Sequence, residues 1–553
     1  METAQSVLRL DATWVDYLIV AIYFLFVLGI GWAAKARVSS SIDFFLSGRS
    51  LPAWVTGLAF ISANLGAVEI IGMSANGAEY GFQTMHYFWI GAVPAMIFLG
   101  IVMMPFYYGS KVRSVPEFMR RRFGNGAHLV NALSFALAQL LIAGVNLFLL
   151  ATIVEALLGW PMWVALVVAG VIVLSYITLG GLSAAIYNEV LQFFVIVAAL
   201  APLTIIGLNR VGGWEGLKTA VAEGSHFHTW PGSELSGFDN PVWSVIGIVL
   251  GLGFVLSFGY WTTNFVEVQR AMASDSLSAA RKTPIIGAFP KMFIPFLVVI
   301  PGMVASVLVS EIAAGSAKPN DAILLLMRDL LPNGLLGIAI AGLLASFMAG
   351  MAANISAFNT VISYDIWQTY VVKDREDDYY LKFGRIATVA ATLIAMFTAL
   401  LAQNFGNIMD YLQTLFGFFN APLFATFILG MFWKRMTPHA GWSGLIAGTA
   451  SAIGYWYVAT FTDATSTMFN LPGQGTAFVA AGVAFAVDIL VSVIVTMFTT
   501  PKPDSELVGF VSSVTPKGHF EDMTESNLPW YQRTVPLGMI CLVMAIVLNV
   551  IFA

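Results

Sequence analysis

The chain is 553 residues long, 58% hydrophobic and only 10% charged, with a mean hydropathy of +0.81. A soluble globular domain carries about 25% charged residues, so this composition excludes a soluble enzyme, a nucleic-acid binder and a disordered chain. It leaves a polytopic membrane protein. The 26 Lys and Arg against 31 Asp and Glu give a net charge of −5, and the lone Cys541 makes neither an internal disulfide nor a thiolate metal site.

A crossing helix needs about 20 apolar residues. On that rule the sequence predicts fourteen spans, at 15–34, 53–74, 87–108, 129–157, 162–179, 185–208, 242–267, 285–311, 335–366, 383–403, 407–433, 439–461, 475–499 and 534–552. The runs are continuous rather than alternating, so a barrel is excluded and the expected fold is all-α. The acidic start METAQSVLRLDATWVD predicts a first span that stays in the membrane rather than a cleaved leader. With the N-terminus outside, the inner loops hold 20 basic residues and the outer segments five, with Lys291 left within a span. That bias favours an even count and puts both termini outside. Segment 209–241 reads as an outer loop, 321–333 as an interfacial helix, and 500–533 as an inner linker.

Lipid-facing backbone cannot leave its hydrogen bonds unmade, so breaks and polar groups inside spans mark an interior cavity. The second span, LPAWVTGLAFISANLGAVEIIGMSANG, carries Asn64, Gly66 and Glu69 in its middle. Gly66 reads as a packing notch. Glu69 reads either as a polar helix contact or as a functional group facing a cavity, because an ionisable side chain at this depth costs about 2.5–3.5 kcal/mol or more. The seventh span carries Ser257, Tyr260, Trp261, Thr262, Thr263 and Asn264, then Glu267 and Arg270. This polar run predicts a second unwound stretch, with Trp261 either in the cavity or at the membrane interface. Lys291 either faces the interior or snorkels to the inner surface, in a helix that Pro290, Pro295 and Pro301 are expected to kink. Glu189 reads as a satisfied interface group or as part of an ion pathway. Asp410 and Gln413 flank the eleventh span, and His86 reads as interfacial. No phosphate loop or catalytic constellation occurs, so an enzyme is not expected. Two discontinuous helices five spans apart point to an inverted-repeat transporter with spans two to six and seven to eleven as halves.

Six segments carry a resemblance: DFFLSGRSLPAW (43–54), SANLGAVEIIGMS (62–74), SVPEFMRRRF (114–123), GGLSAAIYNEVLQ (180–192), FPKMFIPFLVVIPG (289–302) and ILGMFWKRMTPHAG (428–441). Through them the chain resembles the sodium:solute symporter family, nearest in kind to its sodium/sugar cotransporter branch. The resemblance implies a LeuT-type five-plus-five inverted repeat with additional N- and C-terminal helices. The implied divisions are 1–52 (extra helix and inner loop), 53–208 (first repeat), 209–241 (outer loop), 242–433 (second repeat) and 434–553 (extra helices). It further implies a multi-pass protein of the bacterial cell membrane that moves a small polar solute with a cation by alternating access.

Site positions follow from the same resemblance. Solute-binding positions are Asn64, Glu69, Phe88, Gly91, Ser257, Lys291 and Gln413, with Tyr260 at the inner gate and Met73 and Met409 at the outer gate. Lys291, Gln413 and Tyr260 keep the family's residue types. Glu69 replaces a glutamine and Ser257 an asparagine, whereas Phe88 replaces a glutamate and Gly91 a serine. The sodium positions are Ser62, Leu65, Ser346, Ala349 and Gly350, of which the last two lack the family's hydroxyls. Ser62 and Ser346 either compensate or bond back to their own helices. Proton coupling through Glu69 or Glu189 is the alternative to sodium. A monocarboxylate or amino acid, or an uncoupled uniporter or sensor, is the alternative to sugar symport.

Overall fold

The computed structural model describes residues 9–66, 68–221, 224–402, 407–462 and 471–553. Residues 1–8, on which the predicted outer N-terminus falls, and 222–223 of the predicted outer loop lie outside the described residues. The described chain is helical, and its strand pairing is limited to an isolated bridge between Leu51 and Ser274.

The principal helices in chain order are α1 (Trp14–Lys35), α2 (Ala53–Asn64), α3 (Val68–Met85), α4 (Tyr87–Gly109), α5 (Asn125–Leu158) and α6 (Met162–Arg210). They continue as α7 (Pro241–Thr263), α8 (Phe265–Met272), α9 (Leu277–Leu308), α10 (Leu335–Val371) and α11 (Asp377–Ala402). The last four are α12 (Ile408–Phe432), α13 (Pro438–Phe461), α14 (Gly475–Phe498) and α15 (Thr534–Ile551). Eleven helices among the described residues are long and apolar enough to cross a membrane, or twelve when the bent pair α2–α3 counts as one span. The predicted count of fourteen is not reached on that measure, for two physical reasons. The stretch predicted at 162–179 is the opening part of α6, apolar only over Met162–Ser175. It ends at Gly181, whose φ of +55° turns the chain in a conformation that favours glycine. The stretch predicted at 439–461 forms α13, but its Gly, Ser, Thr and His residues dilute its hydropathy.

The expected break in the second span is present. Helix α2 ends at Asn64, Leu65 leaves helical geometry (φ −73°, ψ 40°), and α2 and α3 are bent by 57°. The break in the seventh span falls at Asn264, where ψ swings to 114°. Its cause is local: the Asn264 side chain accepts a hydrogen bond from the Val266 amide at 3.1 Å, capping α8 and ending α7. By contrast α9 runs as one helix through Pro284, Pro290, Pro295 and Pro301.

Two sequence readings are corrected here, those of His86 and of segment 321–333. His86 is not interfacial; it is fully buried, with its Nε2 2.6 Å from the Thr229 carbonyl and its ring against Trp230. Arg270, counted with the inner-side basic residues, is buried in α8. The helix at Ala322–Leu330 buries every side chain from Ala322 to Met327 inside the protein, so its apolar face is covered by protein. Arg122 is buried as well, donating to the carbonyls of Gly430, Trp433 and Met436 where α12 ends. A cation at a helix C-terminus meets its unpaired carbonyls and the negative end of its dipole.

The α2–α3 pair packs along α9 at very close range. A Cβ at Gly302 would collide with the Ser74 carbonyl oxygen. Gly302→Ala is therefore expected to destabilise the protein by about 1–3 kcal/mol, the usual scale of forced overpacking. Gly29→Ala, where a Cβ meets nothing within 4 Å, is the control. Thermal unfolding in detergent checks the pair, and equal melting temperatures would refute the close-approach argument.

Candidate functional site

The two breaks face one another across a cavity. It is large enough to hold several waters. Its walls come from both broken helices and from α4, α5, α9, α10 and α12.

Of the ten predicted solute positions, Asn64, Glu69, Met73, Phe88, Ser257, Tyr260, Lys291, Met409 and Gln413 all line this cavity. Gly91 does not, because the Ser257 side chain packs directly against its Cα and occupies the space a side chain there would need. Trp261 is a cavity residue rather than an interface anchor; it is buried and stacks on Phe60 with ring centroids 5.8 Å apart.

A chain of hydrogen bonds crosses the cavity. Lys291 Nζ donates to Glu69 Oε1 and to Asn64 Oδ1, both at 2.5 Å. Asn64 Nδ2 donates to the Tyr260 hydroxyl at 3.1 Å, and that hydroxyl donates to Glu267 Oε1 at 2.9 Å. The Lys291 ammonium also lies 4.8 Å from the Phe88 ring centroid and 5.2 Å from that of Trp261, within cation–π reach. Lys291 therefore does not snorkel to the surface. It is 2% exposed and held in the interior by a carboxylate, an amide and two aromatic faces.

Glu189 has a different setting. Arg270 Nη2 donates to its Oε1 at 2.5 Å and Arg270 Nε to its Oε2 at 3.2 Å, with both side chains fully buried. This is a two-pronged pair that satisfies both carboxylate oxygens.

The predicted sodium positions converge where α2 ends against α10. Ser346 Oγ donates to the Leu65 carbonyl at 2.7 Å, so it bonds across to the other helix rather than back to its own. Ser62 Oγ is buried with no partner among the described residues. Ala349 and Gly350 contribute no side-chain oxygen, and Gly350 approaches Gly66 so closely that a Cβ on Gly66 would stand 3.2 Å from the Gly350 Cα. Asn146, on α5, fills that corner: its Nδ2 donates to the Ile142 carbonyl at 3.2 Å, while its Oδ1 is buried without a partner among the described residues. Sequence reasoning missed Asn146 and gave Glu267 no role. Both could have been found as polar residues interrupting predicted spans at the depth of Asn64.

The 2.5 Å pair should behave as a unit. Removing one partner of a buried pair costs about 3–5 kcal/mol because the other charge is left uncompensated. Glu69→Gln and Lys291→Met are each expected to lower the melting temperature strongly, and the double variant to lose clearly less than the sum. Additive losses in thermal unfolding would show that the pair is not coupled.

Comparison with known proteins adds to this geometry. A sequence model of the sodium:solute symporter family matches residues 44–448, more than half of the chain. The chain is 29% identical over 466 residues to a sodium/glucose cotransporter of Vibrio parahaemolyticus, covering 80% of this chain and 85% of that one. It is likewise 29% identical over 468 residues to a sodium/myo-inositol cotransporter 2 of Mus musculus, covering 78% of this chain and 68% of that one. Among solved structures, a Na+-coupled sialic acid symporter in a substrate-bound outward-open state superposes with a TM-score of 0.75 at 20% identity, covering 89% of this chain and 99% of that one. That likeness is one of fold.

Proposed function

Because the chain belongs to the sodium:solute symporter family, we propose that it is a secondary active transporter, moving a small polar solute, a sugar, inward with sodium by alternating access. The observation that carries this reading is that both interrupted helices, α2–α3 and α7–α8, open onto one polar cavity. Helix ends inside a membrane leave backbone groups unpaired, and such ends are where transporters of this kind hold solute and ion. The cavity's aromatic faces and hydrogen-bonding groups suit a polyol. The sodium/glucose cotransporter of Vibrio parahaemolyticus, 29% identical over most of this chain, supports the same choice. Residues 53–208 and 242–433 form the two inverted halves in this reading, with both termini outside.

Sodium lies in this proposal at the end of α2, against the carbonyls of Ser62, Leu65 and Ser346. The Ser62 hydroxyl and Asn146 Oδ1, both buried and unpartnered among the described residues, stand in for the hydroxyls that Ala349 and Gly350 lack. Sodium is a hard cation and takes such oxygen ligands. One cation falling through 100 mV supplies about 2.3 kcal/mol, enough for accumulation of several tens-fold. A monocarboxylate cargo is disfavoured because the Lys291 ammonium, its natural partner, already serves Glu69 and Asn64.

The test is uptake of labelled hexose into proteoliposomes under an inward sodium gradient. Sodium-dependent accumulation is expected, and uptake that persists without sodium but collapses with a proton uncoupler would replace sodium by a proton. Ser62→Ala is expected to raise the sodium concentration for half-maximal uptake roughly tenfold, the worth of one good polar contact. Unchanged sodium dependence would remove Ser62 from the ion site.

A further inference from the structure

Three cavity-lining side chains carry formal charge: Glu69, Lys291 and Glu267. The single ammonium serves both carboxylates, Glu69 directly at 2.5 Å and Glu267 through Asn64 and the Tyr260 hydroxyl. The nearest further cation along the chain, Arg270, is one helical turn from Glu267 but is engaged by Glu189. Glu267 is fully buried, and its Oε2 has no hydrogen-bond partner among the described residues. A buried carboxylate with one unmatched oxygen and no direct counter-ion is expensive in a low-dielectric interior. With Glu69 and Glu267 both ionised the cavity is short of one positive charge, and it is rich in acceptors, since Asn146 Oδ1, also on its wall, has no partner either. Its one ammonium has two of its three N–H groups directed at Glu69 and Asn64, with the rings of Phe88 and Trp261 close by.

From this imbalance we propose that the solute itself supplies the missing charge: it is a polyhydroxylated compound bearing a protonated amine, an amino sugar in class, whose ammonium is taken by Glu267. This rests on the sugar-symport reading above and narrows its cargo. The ammonium donates to the unpartnered Oε2 of Glu267 and competes with the Tyr260 hydroxyl for the same carboxylate, which loosens Tyr260 from the chain of bonds joining α2, α7 and α8. Loading of the cargo and release of that contact are then one event. A neutral hexose can hydrogen-bond in the same cavity but leaves the charge unmatched, whereas a sugar acid adds a second unmatched negative charge.

The experiment is ligand-induced thermal stabilisation of the full-length protein in detergent, with sodium present and absent, using glucosamine, glucose and gluconate at about pH 6.5, below the pKa of roughly 7.7–8 typical of an α-amino group. Glucosamine is expected to bind at least about tenfold more tightly than glucose, the scale of one charge-assisted hydrogen bond, and gluconate more weakly than either. Glu267→Gln should bring the glucosamine-to-glucose ratio close to one, and Glu267→Asp should restore part of it. Sodium-dependent stabilisation of each variant, measured alongside, reports that it is folded. Glucose binding as tightly as glucosamine, or a ratio that survives Glu267→Gln, overturns the proposal while sodium-linked glucose binding leaves sugar symport standing. Glucose binding that weakens with rising pH in the unaltered protein but not in Glu267→Gln also overturns it, by assigning the missing charge to a proton. Failure of all three sugars to stabilise the protein, in the presence of a sodium response, overturns the sugar reading together with this one.

Discussion

The ammonium of Lys291 is the point on which the interior of this protein depends. It sits on α9, one of the least interrupted helices, and grips the two sides of the break between α2 and α3: Asn64 on one side, Glu69 on the other. Both contacts are 2.5 Å long, and the Lys291 and Glu69 side chains are almost fully buried. In such surroundings the pair attracts far more strongly than at a surface, yet desolvating either charge costs several kcal/mol. The arrangement is stable only while both partners are present. It fixes the direction in which the broken ends point, and through Asn64 and Tyr260 it extends to the second break at Asn264.

The breaks themselves follow from where the chain can place polar backbone. Leu65 leaves helical geometry next to Gly66, where α10 approaches so closely through Gly350 that a side chain on either would be tightly crowded. The freed Leu65 carbonyl is met by the Ser346 hydroxyl from α10. An unpaired carbonyl facing lipid would be prohibitive, so the tight contact and the serine are what allow the interruption to exist at this depth. The same serine occupies an oxygen that a cation would also seek, which makes the corner between α2, α5 and α10 a place where a hydroxyl and an ion compete for one ligand.

Much of this was legible in the sequence because membrane chains obey few rules strictly. Asn64, Glu69 and the run from Ser257 to Asn264 stand out since a polar side chain in a predicted span needs an interior reason, and nine of the ten positions predicted for solute line one cavity. What failed to read out has physical causes. Spans shorter than the bilayer or diluted with Gly and Ser, as in α6 and α13, blur a count based on hydropathy alone. Gly91 carries no trace in the sequence of the serine that packs against it. Charge and flanking context predict exposure for Arg122, Arg270 and His86, whereas each is buried against partners more than 80 residues away along the chain. Long-range pairing of that kind leaves no periodic signature.

The contrast between two buried glutamates closes the physical argument. Glu189 and Glu267 are both fully buried, and Arg270, the partner of the first, is carried by the same short helix as the second. Glu189 has both oxygens satisfied by one guanidinium, in a planar, two-pronged contact that needs nothing more. Glu267 has one oxygen on a phenol and the other without a partner among the described residues. If burial of acids here served packing alone, the second would be expected to resemble the first, since Arg270 lies only one turn away. Instead the guanidinium is committed to Glu189, which is not among the residues lining the cavity. The unmatched carboxylate is the one placed on the wall of the cavity, behind the tyrosine that links the two broken helices. In the proposal of an amino-sugar cargo it is this carboxylate that the solute completes, whereas the Glu189–Arg270 pair is complete without one.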